Sequence, residues 1–244
     1  MTALLAVEGL TKRFGGVAAV DDCTFSVEEG TITALIGPNG SGKTTAFNLI
    51  TGYLPADAGT VSFGGRPVRR PDPTRLSREG LARTFQRARV FPELTVQENL
   101  AVAVQRPWRT MLRRALGAGE HARAGELIEE FGLTRVARDR AGSLSFGQRK
   151  LLEFASLLMG QPRLILLDEP AAGVNPVMVE TMERHVRDLH ARGLTFLIVE
   201  HDMHLVMRIS DSVIVLDQGT TIATGAPRDV QQDPRVVDAY LGVA

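Results

Sequence analysis

A glycine-rich stretch near the start of the sequence combines the residue types that bind phosphate. Residues 37–45 read GPNGSGKTT and fit the pattern G-x-x-x-x-G-K-[ST], which forms a loop between a strand and a helix. The segment TITALIG before it is predicted to be a strand, and AFNLITG after it a helix. The stretch is therefore predicted to be a phosphate-binding loop rather than a chance glycine-rich turn.

The residues of this loop have distinct predicted roles. Glycines let backbone N–H groups surround a β-phosphate, and the N-terminus of the following helix adds positive potential. Lys43 is placed to reach the β- and γ-phosphate oxygens, and the Thr44 hydroxyl to hold Mg²⁺. The predicted nucleotide-binding residues are Gly37, Pro38, Asn39, Gly40, Ser41, Gly42, Lys43, Thr44 and Thr45.

Two adjacent carboxylates follow an apolar segment later in the chain. The sequence LILLDE ends in Asp168 and Glu169. At the tip of a strand, Asp168 is predicted to help bind Mg²⁺ through water, and Glu169 to orient and deprotonate an attacking water molecule. The plain alternative is a strand that ends in acidic capping residues. The phosphate-binding loop elsewhere in the chain favours the catalytic interpretation.

Three further side chains carry weaker signals. His201 follows the apolar run LTFLIVE and could hydrogen-bond a γ-phosphate while it aligns Glu169. The alternatives are a structural histidine or a zinc site with His204, for which no third ligand lies nearby in sequence. Gln86 by itself indicates little. Phe14 is either an ordinary core aromatic or, before a Gly-Gly pair, a face for adenine.

A second stretch resembles an anion-binding device. Residues 142–150 read GSLSFGQRK and run into the apolar helical pattern LLEFASLLM. Ser145 and the backbone of Gly147, at the start of a helix predicted from about residue 148, could bind the exposed side of a γ-phosphate. A helical segment separates this stretch from the phosphate-binding loop. We therefore expect it to serve the loop of another copy, in a head-to-tail pair whose contacts are reciprocal.

The elements that must position these residues alternate between strands and helices. Residues 4–36 read as strands and turns, and residues 60–68 as a pair of strands. Continuous apolar runs at 163–168, 194–200 and 212–219 predict strands buried on both faces, hence a parallel sheet covered by helices. The helix between the first two of these runs has one apolar stripe, formed by Met178, Met182, Val186 and Leu189.

A helical lobe is predicted to interrupt this α/β core. Residues 74 to 140 read as mostly helical, with apolar residues at three- and four-residue spacing in TVQENLAVAVQ and EHARAGELIEEFG. The predicted division is a core formed by residues 1–86 and 144–244, with a helical lobe at about 87–143.

Composition and charge exclude several classes of protein. Lys plus Arg and Asp plus Glu balance at 28 each, which gives no global field for nucleic acid or anionic lipid. The eight arginines between residues 66 and 89 have no aromatic ladder beside them, so a solvated or partner-facing surface is predicted there. The single Cys23 allows no intrachain disulfide. No apolar run reaches the about 20 residues of a membrane span, and no secretory signal is expected.

With these motifs in this order, the chain resembles the ATP-binding cassette (ABC) ATPases over nearly all of its length. Phe14 matches the adenine-stacking aromatic of that family. SFGQ departs from the commoner SGGQ, and GVNP from the commoner SALD, without loss of a needed hydroxyl or carboxylate. The corresponding motifs are GPNGSGKTT for Walker A, Gln86 for the Q-loop, LSFGQ for the signature, LILLDEP for Walker B, AAGVNP for the D-loop and His201 for the switch histidine.

The resemblance implies a fold and a complete ATP site. The implied fold is a P-loop NTPase core of the α/β class, with a mostly parallel sheet, an antiparallel β subdomain and an inserted helical subdomain. ATP and Mg²⁺ are the implied cofactors. The implied metal-binding residues are Thr44, Gln86 and Asp168. The implied catalytic residues are Lys43, Glu169 and His201, and the implied signature contacts are Ser145, Gly147 and Gln148.

The resemblance also implies partners. RTFQ, VFPELTVQENL, DEPAAGVNP and VEHDMHLVM are similar to LivG-type subunits of branched-chain amino acid importers. Such a subunit works with transmembrane permease subunits, a second identical or paralogous ABC ATPase subunit and, indirectly, a solute-binding protein. Its expected location is the cytoplasmic face of the inner membrane, with no nucleic acid bound. The alternatives are the related ATPase of lipopolysaccharide export, a soluble ABC ATPase that acts on DNA or ribosomes, and a non-hydrolysing scaffold that Glu169 disfavours.

Overall fold

A computed structural model describes residues 3–68, 70–85, 89–104 and 117–241 of the chain. Within these residues the backbone forms two sheets, flanking helices and two short 3₁₀ turns, at Thr134–Val136 and Ala141–Ser143. Gln86, Arg87 and residues 105–116 lie outside the described residues. None of the described helices is long and apolar enough to cross a membrane.

The central sheet has six strands in the described residues, in the order β10-β9-β3-β8-β7-β6. The strands are β3 (Ile32–Ile36), β6 (Leu81–Arg83), β7 (Leu164–Asp168), β8 (Thr195–Val199), β9 (Ser212–Asp217) and β10 (Thr220–Gly225). All neighbours are parallel except β10, which runs antiparallel to β9. Every residue of β3, β7 and β8 is buried. The predicted parallel sheet with both faces covered is therefore confirmed.

The second sheet is antiparallel, in the order β2-β1-β4-β5. Its strands are β1 (Ala3–Phe14), β2 (Val17–Glu28), β4 (Ala58–Phe63) and β5 (Arg66–Pro67). Alternate residues of β1 such as Leu5 and Val7 are buried, as expected for a sheet with one covered face. The strand pair predicted at residues 60–68 corresponds to β4 and β5.

The described helices lie between and around the strands. They are α1 (Lys43–Ile50), α2 (Pro73–Arg78), α3 (Val96–Ala103), α4 (Ala118–Glu130), α5 (Phe146–Leu158), α6 (Pro176–Ala191), α7 (Met203–Ile209), α8 (Pro227–Gln232) and α9 (Pro234–Leu241). The prediction of mostly helical structure from residue 74 is wrong for Leu81–Arg83, which forms β6 beside β7. A three-residue strand is too short for its periodicity to be read, and pairing with the sheet edge decides its conformation.

The central sheet separates two apolar layers. Successive residues of β7 point to opposite faces, so Ile165 belongs to one buried cluster and Leu166 to the other. One cluster joins the sheet to α4, α5 and α6, and the other joins it to α1 and the antiparallel sheet. Phe154 of α5 lies in the first layer, edge-on to Phe131 at 5.4 Å and to Phe196 of β8 at 6.4 Å. This ring connects the helical segment to the central sheet.

We expect Phe154→Ala to lower the free energy of unfolding by roughly 3–5 kcal/mol, because a fully buried ring would leave a cavity between α4 and β8. Chemical denaturation measures the change. Phe91→Ala is the matched control, since the Phe91 ring is exposed and its loss should cost less than about 1 kcal/mol. Equal losses for the two variants would contradict this account of the core.

Candidate active site

The phosphate-binding loop closes tightly between β3 and α1. Gly37 has φ 150° and Gly42 has φ 100°, a region that favours glycine. A Cβ atom on Gly37 would lie 2.0 Å from the carbonyl oxygen of Leu216, and one on Gly42 would lie 2.4 Å from that of Ala19. No larger residue fits at either position, so the neighbouring backbone fixes the path of the loop.

Lys43 holds the loop together from inside. Its Nζ atom donates to the carbonyl oxygens of Gly37 and Pro38, both at 2.8 Å, and the side chain is buried. Burial lowers the pKa of Lys43, and the carboxylate of Glu169 opposes that shift. The ammonium is thus fixed in the concave side of the loop, beside the carboxylate predicted to be catalytic.

An open cavity of about 200 Å³ lies over the loop. Its lining combines the loop with one residue far away in sequence, Glu169. Of the described residues, Ser145, Gly147 and Gln148 take no part in the lining, and Gln86 lies outside the described residues. The residues that line the cavity are Ala19, Asn39, Gly40, Ser41, Gly42, Lys43, Thr44, Thr45 and Glu169.

The order of the strands brings the other predicted site residues to the same edge. Because β3, β8 and β7 are parallel neighbours, their carboxyl ends meet there. His201 follows β8, and its Nε2 atom lies 3.3 Å from Oε2 of Glu169, which follows β7. Glu169 has φ 50°, and its N–H donates to the carbonyl oxygen of Val199 at 3.0 Å. The backbone of Glu169 is therefore constrained, and the imidazole of His201 contacts its carboxylate.

Asp168 takes part in a buried ion pair that the sequence did not predict. Its Oδ2 atom accepts a hydrogen bond from Nη2 of Arg83 at 2.8 Å, and both side chains are almost fully buried. Arg83 also donates to Asn48 Oδ1 at 2.7 Å and Thr51 Oγ1 at 3.0 Å. The other oxygen of Asp168, Oδ1, is buried and has no hydrogen-bond partner.

The prediction that the arginines between residues 66 and 89 form a surface is therefore wrong for Arg83. Arg83 belongs to the interior, where its guanidinium lies 5.2–5.8 Å from the ring centres of Phe47, Tyr53 and Phe85. The carboxylate of Asp168 and the surrounding rings compensate its burial. The available signal in the sequence was the apolar context of LARTF, in which an arginine alternates with Leu81 and Phe85.

Ser145 begins helix α5 as its N-cap. Its Oγ accepts from the N–H of Gln148 at 3.2 Å, and Oε1 of Gln148 accepts from the N–H of Ser145 at 2.9 Å. This reciprocal capping makes the helix begin at Phe146, two residues earlier than predicted. The first-turn N–H groups, including that of Gly147, point out of the helix end, where the dipole favours an anion.

Neither Phe14 nor His204 lines the cavity over the phosphate-binding loop. Phe14 ends β1 at the hairpin to β2, where its ring is half-exposed and lies 5.7 Å from Nζ of Lys12. His204 is exposed in the first turn of α7, and its N–H donates to Oδ1 of Asp202 at 2.9 Å. Across the described ranges, no three His, Cys, Asp or Glu side chains form a cluster that could hold a metal ion.

Two buried glutamates near the site, Glu153 and Glu200, were not predicted from the sequence. Glu200 accepts from the N–H of Ala171 at 2.9 Å and from that of His201 at 3.2 Å, and burial raises its pKa. Glu153 of α5 accepts from the N–H of Phe85 at 3.3 Å and from that of Arg89 at 3.2 Å. Burial raises the pKa of Glu153 to about 7. A glutamate within the apolar run LLEFASLL was the signal for Glu153.

Comparison with known proteins gives consistent matches. The sequence family described as "ABC transporter" matches residues 20–172, and the family described as "Branched-chain amino acid ATP-binding cassette transporter" matches residues 220–244. The chain is 40% identical to the high-affinity branched-chain amino acid transport ATP-binding protein BraF of Pseudomonas aeruginosa, over 99% of this chain and 98% of BraF. It is 39% identical to LivG of Escherichia coli, with the same coverage.

Solved structures agree with these matches. The ADP conformation of MJ1267, an ATP-binding cassette of an ABC transporter, aligns with a TM-score of 0.88 at 36% identity, over 99% of this chain and 100% of that one. CbiO1 from Clostridium perfringens, part of the ABC transporter complex cbiONQ, aligns with a TM-score of 0.81 at 26% identity, over 100% and 96% of the two chains.

The buried carboxyl group of Glu153 makes stability depend on pH. Its pKa is about 7 in the folded chain, against an ordinary 4.5, so the folded state keeps a proton that the unfolded state releases between these values. Stability from this group is complete below pH 4.5 and is lost as the pH rises through 7, by roughly 3 kcal/mol in all.

We expect Glu153→Gln to remove this dependence, because the amide oxygen still accepts hydrogen bonds but cannot ionise. Urea denaturation from pH 5 to 8 should show the variant gaining stability relative to the wild type by about 2–3 kcal/mol as the pH rises. Glu126→Gln, at an exposed position of α4, is the control and should follow the wild-type curve. Parallel curves for Glu153→Gln and the wild type would show that Glu153 does not titrate in this range.

Proposed function

This chain belongs to the ABC transporter family, and we propose that it is the ATP-hydrolysing subunit that energises an importer of branched-chain or related amino acids. The observation that carries this proposal is the cavity in which the phosphate-binding loop, Lys43 and Glu169 come together, with His201 in contact with Glu169. The relatives BraF and LivG are named for branched-chain amino acid transport. The match of residues 220–244 favours amino acid import over lipopolysaccharide export.

The proposed reaction is hydrolysis of ATP by a water molecule. The glycine-rich loop binds the phosphates, and the fixed ammonium of Lys43 offsets charge on the β- and γ-phosphate oxygens. The water oxygen attacks the γ-phosphorus while Glu169 accepts a proton, and the bond to ADP breaks to give ADP and phosphate. His201 contacts the carboxylate at 3.3 Å and holds it in position. Phe14 is proposed to stack on adenine from the β1–β2 hairpin.

Mg²⁺ fits the residues at the edge of the sheet. The unpartnered Oδ1 of Asp168 is a buried acceptor, which is costly unless a donor or cation satisfies it. Thr44 is exposed in the lining of the cavity and offers its hydroxyl. We propose that these two residues, together with Gln86, bind the metal ion. Bound Mg²⁺ would supply positive charge to the β- and γ-phosphates.

The proposed working unit is a head-to-tail pair of ABC subunits. The signature residues Ser145, Gly147 and Gln148 do not line the phosphate cavity of their own chain, and they lie instead at the capped N-terminus of α5, a helix end that favours an anion. A second identical or paralogous subunit would place this helix end over the γ-phosphate. Each of the two sites would then combine one phosphate-binding loop with the other subunit's signature.

The ATPases of ABC transporters act with membrane permease subunits, and a groove on this chain suits that contact. A cavity of about 240 Å³ lies between the core, at Tyr53 and Phe85, and the helical side, at Ala103 and Leu157. The guanidinium of Arg89 lies 3.5 Å from the centre of the Phe85 ring beside it. We propose this groove as the permease contact, which would place the chain at the cytoplasmic face of the inner membrane. A solute-binding protein would act indirectly, through the permeases.

The first test is Glu169→Gln. Loss of the proton acceptor should reduce ATP hydrolysis by about 10²–10⁴-fold while ATP binding stays intact. Phosphate release measures hydrolysis, and titration with ATP measures binding. Glu129→Gln, which lies on α4 away from the cavity, is the control. Turnover near the wild-type rate would show that Glu169 is not the base.

The second test concerns the shared site. Ser145→Arg should leave ATP binding to the isolated subunit unchanged but block hydrolysis, because a cation at the helix end would prevent closure on the partner. Loss of the N-cap costs about 1 kcal/mol and is measured separately by thermal unfolding. Ser143→Arg adds the same charge at an exposed position nearby.

Hydrolysis per wild-type chain should also rise with protein concentration as pairs form. Specific activity that stays constant down to concentrations at which the protein is monomeric would mean that the signature serves its own chain.

A further inference from the structure

Helix α5 carries a buried lysine close to its N-terminus. Lys150 is only 4% exposed, and it lies one turn beyond the cap at Ser145. Its Nζ atom donates to the carbonyl oxygen of Pro170 at 3.0 Å and to that of Glu169 at 3.2 Å. The helix that presents the signature is therefore bonded to the backbone of the residue that presents the catalytic carboxylate.

The ring of Phe146 adds a second contact between the same two segments. It lies 5.5 Å from the Nζ atom of Lys150. A methyl group on Gly173 would lie 3.5 Å from Cε1 of Phe146, so the ring packs against the loop that follows Glu169. The phenylalanine in SFGQ thus lies near both Lys150 and Gly173, which a glycine at that position could not do.

The loop after Glu169 is also bonded to a second segment, the one that follows β8. Glu200 accepts hydrogen bonds from the N–H groups of Ala171 and His201. The carbonyl groups of Glu169 and Pro170 are thus bonded to α5, while the next N–H is bonded to the segment that carries His201. Because Glu169 already has a constrained φ of 50°, it has little freedom to move alone. A shift of Glu169 or His201 is expected to move α5 with it.

Electrostatics make this contact persistent. Burial lowers the pKa of Lys150, whereas the nearby carboxylates of Glu153, Glu200, Glu169 and Asp168 oppose the shift. A buried ammonium that gave up its carbonyl acceptors would remain without water to replace them. Breaking the bonds to Glu169 and Pro170 while α5 and the loop stay packed together is therefore costly.

We propose that Lys150 is a positioning residue that couples ATP at a subunit's own phosphate-binding loop to the signature that the same subunit presents to its neighbour. This inference rests on the proposed function, because it requires two sites shared between two subunits. ATP that draws the imidazole of His201 toward its γ-phosphate also displaces Glu169, which the imidazole contacts, and with it the loop of residues 169–173; Lys150 transmits the displacement to α5. Since coupling of binding free energies is reciprocal, ATP binding at the two sites becomes cooperative.

The test compares Lys150→Met, which keeps the length and burial but removes the donors, with Lys150→Arg, which keeps them. Lys150→Met should bind ATP within about twofold of the wild type, because the phosphate-binding loop is untouched. Its kcat should fall at least about fivefold, and its Hill coefficient for ATP should approach one. Lys150→Arg should recover most of both. Arg123→Met, a lost cation on the exposed face of α4, should behave as the wild type.

Hydrogen exchange keeps the test decisive if Lys150→Met is less stable. In the wild type, ATP added without Mg²⁺ at a concentration where the protein is monomeric should change exchange of amides 146–150. In Lys150→Met, ATP should protect the phosphate-binding loop but leave amides 146–150 unchanged. The same ATP-induced change in both proteins, or a wild-type kcat and Hill coefficient in Lys150→Met, would overturn the proposal.

The outcome for Glu169→Gln distinguishes failure of the coupling role of Lys150 from failure of the proposed catalytic function. If Glu169→Gln abolishes hydrolysis while Lys150→Met matches the wild type, only the coupling role of Lys150 fails. If Glu169→Gln hydrolyses ATP normally, the proposed catalytic function fails whatever Lys150→Met does.

Discussion

The site depends on one constraint, the parallel pairing of β3, β8 and β7 as neighbours in a sheet buried on both faces. Because these strands share a direction, their carboxyl ends meet at one edge, and each end carries a different part of the site. The phosphate-binding loop follows β3, His201 follows β8 and Glu169 follows β7. Residues as far apart in sequence as Lys43 and Glu169 thus line one cavity, and Glu169 and His201 come within 3.3 Å of each other.

Charged groups buried around this edge give the site its rigidity. Arg83 pairs with Asp168, Lys43 with the carbonyls of its own loop, and Lys150 with the carbonyls of Glu169 and Pro170. In a poorly solvated interior each of these groups needs its partner, because an unpaired charge or donor there is costly. The backbone near the site is therefore held by contacts that resist gradual distortion. Such contacts favour movement of whole segments over local adjustment.

Helix α5 is the element through which such movement would pass. Its N-terminus carries the signature, its first turns carry Lys150 and Glu153, and its later residues form the apolar layer with α4 and the central sheet. Lys150 bonds to the segment after β7, and Glu153 bonds to the N–H groups of Phe85 and Arg89 beside the proposed permease groove. One helix thus connects the edge that carries Glu169, the end proposed to face a second subunit and the groove proposed to contact the permease.

The sequence by itself determined the class of fold and predicted the residues of the candidate site. The spacing in GPNGSGKTT, the carboxylates after LILL and the apolar runs predicted the phosphate loop, the catalytic pair and the parallel sheet, because local geometry and burial on both faces leave direct marks on sequence. It did not reveal strand β6, the burial of Arg83, or the roles of Lys150, Glu153 and Glu200 in holding backbone. Lone charged residues in apolar segments acquire partners only when distant segments meet, and the tertiary structure alone decides which carbonyl, amide or carboxylate lies opposite each of them.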